Sequence, residues 1–149
     1  MKSPFHSDCL SGNVALVTGG GSGICFEVTK QLLLHGVDGA VICGRRENFL
    51  KRSAQILERE TNKRCLFKVT DVRDPTTCQE AVEYAINQFG RLDILVNGAA
   101  GNFLAEAKSL TPKGFATVIG IDALGILFII IIWLSIPLLY FSFSVFLFF

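Results

Sequence analysis

No charged residue follows Asp122 in this 149-residue chain. All 14 basic and 13 acidic residues lie at or before it, and Ala123 to Phe149 carry none. Charge of one sign is also lacking. A formal net charge of +1 leaves no basic surplus for a polyphosphate backbone, so nucleic acid is not an expected partner. Metal-type cysteine spacing is missing too. Cys9, Cys25, Cys43, Cys65 and Cys78 are odd in number and include no Cys-x-x-Cys pair. Neither a zinc site nor a disulfide framework is expected, no metal ligand is assigned, and reduced intracellular thiols are the plain reading. The opening MKSPFHSDCL has no apolar core of the kind a secretory signal needs. There is no internal repeat. What is present is 50% hydrophobic and 18% charged, which excludes a disordered polar chain, and the length suits one domain.

The composition divides the chain in two. Residues 1–122 have the mixture of an ordinary soluble α/β unit, and residues 123–149 form a charge-free apolar tail. Within the first part, short apolar runs alternate with longer helical patterns. Asn13 to Thr18 is a β-prone run stopped by Gly19-Gly20-Gly21-Ser22-Gly23. Ile24 to His35 has helical spacing and ends at Gly36. Ala40–Cys43, Cys65–Val69 and Leu92–Val96 read as further buried strands. Glu47–Glu60 and the segment opened by Asp74-Pro75 and closed by Gly90 read as helices. Thr111-Pro112 opens a fourth helix that runs into the tail. Strands of this length alternating with helices predict βαβ units, and hence a truncated Rossmann-type, doubly wound parallel sheet of about four strands with an apolar C-terminal helix. Such a half sheet is expected to leave a strand edge and an apolar face uncovered.

The glycine run falls where a phosphate-binding turn belongs. Free N–H groups and the helix dipole at the start of a helix attract an anionic pyrophosphate, and glycines let the backbone come close. Gly19, Gly21, Ser22, Gly23 and Ile24 are the candidate contacts, and a plain tight turn is the alternative. The end of the second strand reads Cys43-Gly44-Arg45-Arg46, with no acid before Glu47. An acid there would hold the ribose 2′-hydroxyl of NAD, whereas an arginine pairs a 2′-phosphate through its planar fork of donors. NADP(H) is therefore the expected cofactor. The alternative is that both arginines are solvated, although cations at a helix start oppose the dipole.

With Thr18-Gly19-x-x-x-Gly23, the Arg45-Arg46 pair, Thr70-Asp71-Val72 and Asn97-Gly98-Ala99-Ala100-Gly101 in place, the chain resembles the short-chain dehydrogenases/reductases. Asn102-Phe103-Leu104 after that last motif, and Thr117 to Asp122, are similar to the peroxisomal 2,4-dienoyl-CoA reductase branch. The resemblance covers about residues 4–125. It implies cofactor contacts at Thr18, Asp71, Val72, Asn97, Ala99, Ala100 and Gly101, and hydride transfer from NADPH to a 2,4-dienoyl-CoA giving a 3-enoyl-CoA. It further implies an acyl-CoA substrate, a peroxisomal location and a homo-oligomer. Asn102 would hold the thioester oxygen, and Asp122 stands where relatives carry a structural-catalytic polar residue. Their bland alternatives are a loop-turning Asn and a helix-surface carboxylate. A membrane-anchored, non-catalytic nucleotide-binding module and a reductase of another substrate class are the competing readings.

Two departures follow. Cys25 replaces the third loop glycine of the family, so crowding of the cofactor loop is expected. The family's Tyr-x-x-x-Lys relay is missing: Tyr84 is followed four residues on by Gln88, Tyr140 by Ser144, and no Lys or Arg follows Lys113. This polypeptide alone is thus expected to lack reductase turnover. As a helix, the tail would extend about 40 Å, more than the roughly 30 Å apolar core of a bilayer. That fits a membrane anchor with contact through residues 123–149. Its Phe, Leu, Ile, Ser, Val and Tyr are equally the products of T-rich codons, as a translated intron would give. The chain closes on Leu147-Phe148-Phe149 and not on a peroxisomal tripeptide.

Overall fold

In a computed structural model, residues 4–101, 106–135 and 145–148 are described, the last four and Ala107 by their backbone alone. Strands and helices alternate as β1 (Val14–Thr18), α1 (Gly23–Leu34), β2 (Gly39–Gly44), α2 (Glu47–Thr61), β3 (Arg64–Val69), α3 (Pro75–Phe89) and β4 (Ile94–Asn97). A 3-10 turn, Ala107–Ser109, precedes α4 (Pro112–Ile119). A π-helical stretch, Gly120–Gly125, then joins α4 to α5 (Ile126–Leu134), and β5 (Val145–Phe148) comes last. Every strand pairing is parallel, in the order β3-β2-β1-β4-β5. The chain winds from β1 outward to β3 and returns to β4 on the other side of β1. A crevice therefore opens at the C-terminal ends of β1 and β4, where such sheets bind ligands.

The four strands predicted from sequence are all present, with helices flanking them. β1 is buried along its whole length because both faces of the sheet are covered. Val14 and Leu16 pack with α3 and α5 residues, while Ala15 and Val17 pack with α1 and α2 residues. This is why the strand reads as a continuous apolar run rather than an alternation. The expected caps form. Asp74 accepts from Thr76 N at 2.9 Å ahead of Pro75, and Thr111 accepts from Gly114 N at 3.1 Å ahead of Pro112. β4 begins two residues later than the sequence predicts. Asp93, fully buried, accepts from Val14 N at 2.9 Å and pairs both carboxylate oxygens with Arg91 at 2.8 Å. Its own N–H donates to Val14 O at 3.0 Å, so backbone and carboxylate together brace the β1 end just ahead of β4.

The apolar tail departs from the expected half sheet. β5 pairs with β4 in register from Ile94–Val145 to Asn97–Phe148, so the β4 edge is covered while β3 remains an edge strand. Within α5, Ile129 and Trp133 are fully buried, and the Trp133 indole donates to Leu92 O at 3.2 Å. The opposite side of the same helix exposes Leu127, Ile131 and Leu134. Pro112–Leu134 is nonetheless long and apolar enough to cross a membrane.

Candidate functional site

A cleft of about 810 Å³ opens at the β1–β4 crevice. Thr18, Gly19, Gly21, Ser22, Gly23, Ile24, Arg45, Arg46, Asp71, Val72, Ala99 and Ala100 all line it. Register explains the convergence. Thr18 ends β1 opposite Cys43 of β2 and Asn97 of β4, so the segments that follow the three strands leave the sheet side by side.

The glycine loop is held by its neighbours. Gly19 has φ +69°, and a Cβ there would stand 2.5 Å from Gly98 O; only glycine meets both demands. Ser53 Oγ, on α2, donates to Gly21 O at 2.7 Å. Ser22 takes the cap position of α1 in extended conformation without a side-chain capping bond, and the first turn of α1 carries no acid. Gly23, at φ +57°, has open space where a Cβ would be. The residues at the start of α1 therefore line the cleft with neither a side-chain cap nor a first-turn carboxylate. Such a helix start suits an anionic phosphate.

Across the crevice, Thr18 Oγ1 accepts from Gly98 N and Ala99 N, both at 3.0 Å. One hydroxyl thus locks the loop after β4 to the end of β1. At the other rim, Arg45 and Arg46 follow β2, and both are exposed. Arg46 stacks on the Phe49 ring with its guanidinium carbon 4.5 Å from the centroid, a cation–π placement. Arg45 makes no hydrogen bond or ion pair among the described residues. Asp71 is engaged by Arg73, whose Nε reaches both carboxylate oxygens and whose Nη2 reaches Oδ2. These bonds hold the Asp71 carboxyl below its ordinary pKa, against the opposite pull of partial burial.

Three sequence-predicted positions do not line the cleft. Asn97 is 2% exposed at the end of β4, and its Nδ2 has no hydrogen-bond partner among the described residues. Gly101 sits behind the loop, where its N–H donates to Asp122 Oδ1 at 3.0 Å. Asp122 thus lies on the π-helical stretch and is bonded to backbone, acting on the loop from outside the cleft. Asn102 lies outside the described residues, as does Tyr140. Tyr84 is on α3 and packs against the apolar cluster of that face. Phe49, Leu50, Thr70 and Gly98 line the cleft without having been predicted. Thr70 and Gly98 stand inside the Thr70-Asp71-Val72 and Asn97-Gly98-Ala99-Ala100-Gly101 motifs, whereas Phe49 and Leu50 carry no sequence signal beyond the first turn of α2.

Cys25 also reaches the cleft, its sulfur packed hard against Gly98. It packs where Gly98 has no side chain. Burial pushes the Cys43 and Cys65 thiols up to about 12 and Cys78 to about 11, and raises Cys25 as well. All four are therefore protonated at neutral pH and poor nucleophiles.

The residues present fit a phosphorylated dinucleotide: an uncapped start of α1, an exposed arginine at the far rim with no hydrogen bond or ion pair among the described residues, and no acid at the end of β2. Comparison with known proteins agrees. A family model described as short chain dehydrogenase matches residues 13–135, ten residues further than the sequence resemblance reaches. The peroxisomal 2,4-dienoyl-CoA reductase of Arabidopsis thaliana is 47% identical over 125 residues, covering 84% of this chain and 41% of that protein. The Danio rerio protein of the same name is 46% identical over 121 residues, covering 81% and 40%. The chain thus spans about two fifths of the length of these relatives. Among solved structures, an actinorhodin polyketide ketoreductase with NADPH superposes at TM-score 0.78 and 27% identity, covering 83% of this chain and 46% of that one. An alcohol dehydrogenase from Thermococcus sibiricus, complexed with 5-hydroxy-NADP, shares the fold at TM-score 0.77 and 22% identity, covering 83% and 52%. With its glycine turn, strand order and β4 loop all in the matched stretch, this chain belongs to the short-chain dehydrogenase family and is related within it to the peroxisomal 2,4-dienoyl-CoA reductases.

Proposed function

We propose that this chain carries the cofactor half of an NADPH-dependent 2,4-dienoyl-CoA reductase. In this reading residues 1–122 are the dinucleotide-binding unit and residues 123–149 an apolar tail. The single observation that carries it is the cleft at the β1–β4 crevice, with the uncapped start of α1 on one side and the exposed Arg45 on the other. Bound NADPH supplies the hydride. The chain's own residues bind and orient it. The turn from Gly19 to Ile24 receives the pyrophosphate, Arg45 and Arg46 take the 2′-phosphate, and Asp71 with Val72 flanks the adenine. Asn97, Ala99, Ala100 and Gly101 form or support the opposite wall.

The substrate assigned is a 2,4-dienoyl-CoA and the product a 3-enoyl-CoA, in line with the names of the relatives at 43–47% identity. Hydride addition to the diene gathers negative charge on the thioester oxygen, which then needs a fixed donor. Asn102 is assigned to that oxygen. Asp122 is assigned a positioning role: by accepting from Gly101 N it fixes the backbone one residue before Asn102. The same relatives support a peroxisomal location.

The test joins residues 1–125 to the remaining C-terminal part of the Arabidopsis relative and follows NADPH oxidation. Turnover with a 2,4-dienoyl-CoA is expected. Reduction of a 3-oxoacyl or sterol substrate with none of the dienoyl-CoA would overturn the substrate assignment.

A second reading has one observation in its favour: the apolar length of Pro112–Leu134. On that reading the chain is a membrane-anchored nucleotide-binding module. The full burial of Ile129 and Trp133 against the protein itself weighs against it. Co-flotation of the chain with phosphatidylcholine vesicles would favour the anchor; recovery in the soluble fraction would remove it.

A further inference from the structure

A Cβ built on Gly98 would lie 1.9 Å from Cys25 Sγ and 3.4 Å from Cys25 Cβ. No real pair of atoms survives the first of these distances, so the thiol occupies the volume in which a side chain at position 98 would begin. The two residues are far apart in sequence, and both line the cleft. Cys25 is in the first turn of α1, directly after the glycine turn, and is 6% exposed. Gly98 opens the loop after β4, and its N–H is already fixed by Thr18 Oγ1. The Gly19 contact lies beside it, where a Cβ would press on Gly98 O. Gly98 is therefore gripped from three sides: by a hydroxyl, by the glycine turn and by the thiol.

We propose that Cys25 and Gly98 act as one positioning unit that sets the spacing between the two walls of the cofactor cleft. The volume added at position 25 is matched by the volume missing at position 98. Cofactor affinity then depends on the pair and not on either residue alone. A larger residue at 98 pushes the Gly98–Ala99–Ala100 wall away from the start of α1. A smaller residue at 25 leaves a void beneath that wall and lets it settle inward. Packing of this density transmits such a change directly to the neighbouring backbone. This inference rests on the proposed dinucleotide function and deepens it.

A double-mutant cycle on the full chain tests it, using Cys25→Gly, Gly98→Ala and the combination, with Cys25→Ser as the near-isosteric control. The dissociation constant for NADPH is read by fluorescence titration and the apo melting temperature alongside it. Gly98→Ala alone is expected to weaken NADPH binding by about tenfold or more. In the combination the sulfur is gone, and the next contact for the new Cβ is Thr18 O at 3.1 Å, which a shift of a few tenths of an ångström relieves. The combination is therefore expected to bind within about fivefold of the parent, a non-additive result. Cys25→Ser is expected to bind as the parent does.

Should Gly98→Ala fail to fold, the combination decides: a folded, NADPH-binding double variant supports the pair, and an unfolded or non-binding one overturns it. Additive losses in a parent that binds NADPH overturn the pairing and leave the dinucleotide reading standing. A folded parent that ignores NADPH overturns both.

Discussion

The indole N–H of Trp133 donates to the carbonyl of Leu92 across 3.2 Å, and the ring is fully buried. The bond ties the apolar helix to the lead-in of β4, next to the Asp93 brace. Trp133 is the only tryptophan in the chain, so its emission reports the surroundings of α5. Native protein is expected to show blue-shifted emission that moves to the red on urea unfolding. Trp133→Ala should lower stability by about 3–5 kcal/mol through the cavity it leaves, and Trp133→Phe by less. Red-shifted emission from the native chain would contradict the packing of α5.

Thr18→Val keeps the shape of the side chain and removes the acceptor used by Gly98 N and Ala99 N. Two amides lose their partner at once. A loss of about 1–3 kcal/mol in urea stability is expected, with weaker NADPH binding because the β4 loop is released. Thr18→Ser, which keeps the hydroxyl, should restore most of both.

Asp93 is the buried carboxylate of the fold, bonded to Arg91 and to Val14 N. Asp93→Ala strips the brace from β1 and leaves the Val14 amide without it. A cost of about 1–3 kcal/mol is expected, the range for a buried amide left without its acceptor, since the partly exposed Arg91 can turn to water. Since the brace lies at the N-terminal end of the strands, away from the cleft, any variant protein that does fold should keep its NADPH affinity.

Asp71 has its pKa lowered in the folded chain, first by the side-chain bond from Arg73. Its contribution to stability is therefore complete above the ordinary carboxylate value of 3.8. It is lost as pH falls through the lower folded value. The melting temperatures of the parent and Arg73→Ala should differ by a constant amount near neutral pH and converge as pH falls below the ordinary value of 3.8. A gap that widens on acidification would contradict the assignment.

The 149-residue chain alone is expected to bind NADPH and not oxidise it with a 2,4-dienoyl-CoA. Neither tyrosine has a lysine four residues on, and no lysine follows Lys113. A stopped-time absorbance assay at the nicotinamide band checks this; turnover at the rate of a full-length relative would refute it.

Much of the fold was legible because its signals are local. Apolar runs stopped by glycine give β1 and β2, and Asp74-Pro75 and Thr111-Pro112 announce helix starts. The cleft was legible for the same reason: its residues adjoin strand ends. What was not legible is long-range. At the start of β4, the Asp93 carboxylate takes the Val14 N–H that a strand carbonyl would otherwise accept. The charge-free tail has no periodicity to separate a buried Trp133 face from an exposed Leu127–Leu134 face, and nothing in it marks β5. The match of Cys25 to Gly98 is invisible in sequence because Cys25 looks like an isolated departure until the fold brings it against Gly98.

The most direct test is calorimetric titration of the chain with NADPH and with NADH, repeated for Arg45→Ala. NADPH is expected to bind at least about tenfold more tightly than NADH, with most of that preference lost in Arg45→Ala, as follows when a guanidinium answers a phosphate. Equal affinities for the two cofactors, or a preference for NADH, would contradict the assignment of the cleft.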